Sequence, residues 1–96
     1  MNIVFKPTCD LYDEHLDVAR VPIVSFLNLG GERQFCGTVV TVKCFEDNSR
    51  IKELVAMEGK GKVMLVDGGG SQRCALVGDV LADAARRSGW KGIIVF

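Results

Sequence analysis

Histidine occurs once in this 96-residue chain, at His15. Any Ser-His-Asp or Cys-His catalytic arrangement would depend on that one ring. It falls in a short acidic segment with no supporting group near it in sequence, so a surface or packing role is the simpler reading. An excess of basic charge is also missing, with 12 Lys and Arg against 12 Asp and Glu. Direct binding of nucleic acid therefore has little support. No apolar run approaches the roughly 18–20 residues that cross a bilayer. The opening stretch "MNIVFKPTCDLYDEHLD" lacks the long apolar core of a signal peptide. The expectation is a cytoplasmic, soluble domain with no membrane partner.

Other absences narrow the chemistry. The four cysteines, Cys9, Cys36, Cys44 and Cys74, never take CxxC spacing, which argues against a zinc site. Cys36 and Cys44 fall on one expected strand, roughly 26 Å apart at ~3.3 Å per residue, too far to bridge. Free thiols in a reducing compartment fit best. The phosphate-binding pattern GxxxxGK followed by Ser or Thr is absent. Gly68–Gly70 do not lead straight into a helix, which weakens a dinucleotide or methyltransferase reading. No internal repeat or low-complexity segment is present.

What is present alternates strands with helices. "KPTCDLYDEH" reads as a short helix, with Thr8 as cap, Asp10 in its first turn, and Leu11 and His15 on one face. "RVPIVSFLNLGGERQF", broken by Pro22 and Gly30-Gly31, reads as irregular with room for one short strand. "FCGTVVTVKCF" is the clearest strand, Val40, Val42 and Cys44 alternating with Thr41 and Lys43. In "EDNSRIKELVAMEGKG", Asn48 or Ser49 caps a helix with Ile51, Leu54 and Val55 as its stripe and Gly59 as its stop. "KVMLVD" is apolar without alternation, as central parallel strands are. A second helix is expected from Val80, capped by Asp79, with Val80, Leu81, Ala84 and Ala85 inward and Gly89 closing it. "WKGIIVF" is a last strand whose Ile93–Phe96 should be central and covered on both faces. The composition is 48% hydrophobic and 25% charged, ordinary for one globular domain, and the element order implies α/β architecture.

Two glycine-bearing turns could meet an anion. Gly68-Gly69-Gly70-Ser71 is either a cradle of backbone amides or a tight turn after a strand. Gly78-Asp79-Val80-Leu81 opens a helix, where the first amides lack partners and carry partial positive charge. A substrate carboxylate fits there, and Gly78 presents no side chain to obstruct it. Asp79 either caps the helix or holds a water, a metal's hydration shell or a substrate hydroxyl. Asp67 ends a strand, where ligands gather in α/β folds. Arg73 is a lone cation that pairs with Asp67 or Asp79 or faces an anion. Glu46 and Asp47 open a helix and read as solvated. Trp90 and Phe96 suit core or interface better than a stacking platform.

The segments "TCDLYDE", "GGERQFCGTVVTVKCFEDNSRIKELV" and "GKGKVMLVDGGGSQRCALVGDVLADAARRSGWKGIIVF" together resemble the family of the regulator of ribonuclease E activity A (RraA-like). This family also holds the class II 4-hydroxy-4-methyl-2-oxoglutarate aldolases. The resemblance implies a swivelling β/β/α domain and a ring-shaped homotrimer. It implies a pyruvate-like keto acid bound between subunits with help from a divalent metal, commonly magnesium. The reaction implied is retro-aldol cleavage to pyruvate, with oxaloacetate decarboxylation alongside, both through an enolate that the metal stabilises as a Lewis acid. Carried over residue by residue, the substrate contacts are Gly78, Asp79, Val80 and Leu81, with Asp79 the one catalytic candidate. The family's arginine clamp and metal-anchoring aspartate follow the strand that contains Phe96. The expectation is thus a family member's N-terminal part, residues 1–96 of one domain, with no metal ligand of its own and little or no aldolase activity. The regulator branch implies the other function, binding and inhibiting ribonuclease E without chemistry.

Overall fold

The computed structural model describes residues 5–96, and the amino-terminal stretch up to Val4 lies outside the described residues. In chain order the elements are α1 (Thr8–Glu14), β1 (Thr38–Lys43), α2 (Ser49–Val55), β2 (Lys62–Asp67), α3 (Asp79–Arg87) and β3 (Gly92–Val95). Two compact units result, 5–35 and 36–96.

Unit 36–96 carries the sheet. Its strands run in the order β1-β2-β3, all parallel. Parallel neighbours need a crossover, and α2 and α3 supply one each. β2 lies in the middle, which explains its near-continuous apolar sequence: Val63, Met64 and Val66 are buried. The register aligns Val40 with Met64 and Met64 with Ile93, and Val42 with Val66. These rows pack with Ile51, Leu54 and Val55 of α2 and Leu81, Ala84 and Ala85 of α3 in one cluster. Each fully buried side chain here, such as Ile51, Met64 or Val66, contributes about 1.5–3 kcal/mol. The alternation expected in β1 holds: Val40, Val42 and Cys44 are half-buried, Thr41 and Lys43 exposed.

Several ends differ from expectation. Cys36 and Cys44 lie just outside β1, and all four thiols are free. Pro7, not Thr8, occupies the cap position of α1. Asn48 does stand at the N-cap of α2 but makes no capping bond. Instead Asp47 Oδ1 accepts from the Ser49 amide at 2.8 Å, which draws the Asp47 carboxyl below its ordinary value. α2 stops at Val55, before Gly59. A Cβ at Gly59 would enter the Trp90 ring, so close packing explains that glycine. α3 begins one residue early, with Gly78 at the N-cap and Asp79 as its first residue. Val80 faces solvent at 73% exposure instead of joining the stripe. Gly89 closes α3 as expected: at φ 91° its amide donates to Arg86 O at 3.1 Å, and Trp90 N donates to Ala85 O at 3.1 Å. β3 pairs with β2 on one side, and Val95 and Phe96 are exposed.

Unit 5–35 has one helix and no strand among its described residues, and none of these is buried. Lys6 Nζ meets Glu14 Oε2 at 2.8 Å, raising the lysine's pKa and lowering the glutamate's. His15 caps the end of α1, exposed, in keeping with a surface role.

Candidate functional site

Parallel α/β sheets gather ligands beyond the carboxyl ends of their strands. In this chain those ends carry Cys44–Asn48 after β1, Gly68–Gly78 after β2, and Phe96 after β3.

The glycine cluster after β2 is a turn whose amides are already engaged. Gly68 N donates to Phe96 O at 2.8 Å and Gly70 N to the same oxygen at 3.4 Å. Gly69 N donates to Asp67 Oδ1 at 3.0 Å. Gly69 and Gly70 both take φ of 71°, and a Cβ on Gly68 would sit 2.7 Å from Phe96 O. Positive φ and close approach account for these glycines, and the anion-cradle reading falls.

The N-terminus of α3 differs. Gly78 is extended, at φ −110° and ψ −171°, a conformation open to any residue. A Cβ built there meets nothing within 4 Å. Its carbonyl accepts from Ala82 N at 3.0 Å, beginning the helix ladder. Among the described residues no protein acceptor faces the amides of Asp79, Val80 or Leu81. Asp79 makes no cap bond, so its carboxylate is free for another role. Gly78, Asp79 and Val80 are exposed, and Leu81 is half-buried against the core. The four residues singled out from sequence thus form one open helix start.

A second constellation escaped sequence reading. Glu46 is not simply solvated: its side chain is 24% exposed and paired with Arg73, Nε to Oε1 at 2.6 Å. Ser71 Oγ donates to the same oxygen at 2.8 Å. The Arg73 guanidinium lies 6.0 Å from the centre of the Phe45 ring, within cation–π range. Arg73 therefore pairs with neither Asp67 nor Asp79. Asn48 Nδ2 donates to Leu76 O at 3.2 Å. Only the side chains' meeting across 25–28 positions reveals this cluster. The one sequence signal was the polar run "FEDN" directly after a strand.

Among the described residues no group of three His, Cys, Asp or Glu stands close enough to hold a metal. Asp79 alone does not make a divalent-metal site. No helix of the described residues is long and apolar enough to cross a membrane.

The chain is a parallel α/β domain with an open helix terminus among the segments beyond the carboxyl ends of its strands. Comparison then fixes the family. The family model for RraA-like proteins, described as Aldolase/RraA, matches residues 8–96, and the chain belongs to that family. A Marinomonas protein named "Putative 4-hydroxy-4-methyl-2-oxoglutarate aldolase" is 58% identical over 99% of this chain and 57% of its own length. The solved RNA-processing inhibitor RraA of Thermus thermophilis superposes with a TM-score of 0.88 at 41% identity, over 96% of this chain and 56% of its own. A Geobacillus kaustophilus structure named as an S-adenosylmethionine: 2-dimethylmenaquinone methyltransferase gives 0.90 at 42%, over 94% and 56%. The chain spans a little over half the length of the relatives it matches.

Proposed function

We propose that the whole protein of which these residues form part is a pyruvate-type aldolase and oxaloacetate decarboxylase, and that Gly78–Leu81 hold the carboxylate of its keto acid. One observation carries this reading: Gly78 has no side chain, although neither its backbone nor any neighbour demands that, and it opens onto three unpartnered amides. Such amides, with the helix dipole behind them, favour a carboxylate. Seating that group aligns the adjacent carbonyl, and Asp79 lies beside it to hold a substrate hydroxyl or a water. A divalent metal, magnesium by expectation, would supply Lewis-acid stabilisation of the enolate, with its ligands contributed from outside the described residues. The homotrimer, with substrate between subunits, belongs to the same proposal. So does a cytoplasmic setting, which suits four free thiols.

The test is titration of the isotopically labelled chain with oxalate, a planar mimic of the pyruvate enolate, read by amide resonances. Shifts concentrated at Asp79, Val80 and Leu81 support the reading. Shifts elsewhere, or none at millimolar oxalate, overturn it. For the whole protein, oxaloacetate decarboxylation should stop on chelation and return with magnesium.

Likeness to the RNA-processing inhibitor favours a second reading, a regulator that binds ribonuclease E. Equal numbers of basic and acidic residues suit a protein partner better than RNA. Retention on immobilised ribonuclease E at moderate salt would support it, and passage through the column would end it.

A further inference from the structure

Between the glycine turn and α3 the chain runs through 71–77 without helix or strand. This passage leads directly into Gly78 and the start of α3. Two side chains from the loop between β1 and α2 grip it. Glu46 takes Ser71 Oγ at 2.8 Å and Arg73 Nε at 2.6 Å at its near end. Asn48 Nδ2 takes Leu76 O at 3.2 Å, two residues before Gly78. Between these grips Ser71 Oγ also accepts from Arg73 N at 3.2 Å, closing a small ring. Glu46 is the one non-glycine residue with positive φ, 56°, among the described residues. Strain of that kind persists only where surrounding contacts impose it. The side-chain contacts present at Glu46 are those of its carboxylate with Ser71 and Arg73.

We infer that Glu46 and Asn48 are positioning residues, which hold the 71–77 passage and through it the α3 N-terminus in the geometry that receives a carboxylate. The inference rests on the ligand role proposed above for Gly78–Leu81. Neither residue is among the four proposed to meet the carboxylate. Asn48 forgoes the capping role open to it at the start of α2 and spends its amide on Leu76. Asp47 supplies an acceptor to the Ser49 amide instead. That division of labour is what a loop organised around 71–77 requires.

The experiment compares Asn48→Asp, Glu46→Gln and Arg73→Ala with the parent chain. The first two keep side-chain size. The third changes a side chain that is 75% exposed, so at least one variant should fold. Three quantities are read: resonances of Gly78–Leu81 with hydrogen exchange of the Ala82 amide, which bonds Gly78 O, both without ligand; oxalate affinity; and melting temperature. The expected result is faster exchange at Ala82, shifted resonances at Gly78–Leu81, unchanged resonances in β2, and about tenfold weaker oxalate binding. Variants that melt lower but keep parental exchange and affinity would overturn the inference, because a merely structural clasp behaves so. If the parent itself ignores oxalate, the ligand reading fails, and the exchange data still decide whether the clasp controls the helix start.

Discussion

Gly59 and Gly78 both lie beside a helix end, but the residues around them give opposite forecasts for alanine. At Gly59 a Cβ would enter the buried Trp90 ring. Gly59→Ala should cost about 2–3 kcal/mol through overpacking, read by chemical denaturation. A loss below about 1 kcal/mol would show that Trp90 can move aside. At Gly78 a Cβ meets open space, so Gly78→Ala should cost no more than about 1 kcal/mol. It should nonetheless weaken oxalate binding tenfold or more, since the methyl group adds bulk where the carboxylate is proposed to sit. Unchanged affinity would remove Gly78 from the site. The open character of Gly78 was legible in sequence because a glycine before Asp-x-Leu at a helix start is a local feature. The reason for Gly59 was not, since Trp90 lies 31 positions away and meets it only after folding. Glu46, Ser71 and Arg73 escaped for the same cause. A charge beside a helix start reads as solvated until its distant partner is known.

At the scale of elements, α3 shows how much helix chemistry is local. Its acidic first turn and basic last turn, Asp79 against Arg86 and Arg87, complement the helix dipole. Asp83 binds Arg86 at 2.9 Å and Arg87 at 3.1 Å. The hydrogen bond from Arg86 is the main cause that lowers the Asp83 pKa from its ordinary 3.8. A carboxyl whose folded pKa is lowered stabilises the fold above its unfolded value, and that help is lost as pH falls through the folded value. Asp83→Asn should therefore lower the melting temperature slightly at neutral pH. The difference from the parent should close as pH falls through the lowered pKa of Asp83. A difference that persisted in acid would mean that Asp83 acts by packing. The helix boundary itself shifted by one residue from expectation because Gly78, extended and without a side chain, serves as N-cap, and Asp79 is already helical. The four apolar residues of β3 called for cover on both faces, by another subunit or by further chain; within these residues β2 alone pairs with it.

Across the whole molecule the burial is unequal. Among the described residues every buried apolar side chain lies in 36–96: Ile51 and Val55 on α2, Val63, Met64 and Val66 on β2, Ala85 on α3, and Trp90 beyond it. Unit 5–35 has none among its described residues, and it exposes Ile23, Leu27 and Leu29. Resistance to local opening follows buried apolar contact and protected backbone bonds. Amide hydrogen exchange of the 96-residue chain should thus divide in two. Val63–Val66 should exchange only with global unfolding, because β2 is hydrogen-bonded on both sides and lies under both helices. Amides in 16–35 should exchange orders of magnitude faster, with little dependence on stabilising conditions. Trypsin should accordingly cut first at the exposed Arg20 and Arg33. If 16–35 were protected as strongly as β2, exposure in this chain would be a poor guide to its local stability. Burial of 16–35 by a partner surface, another copy of the chain included, would then have to be sought by repeating the exchange at several protein concentrations.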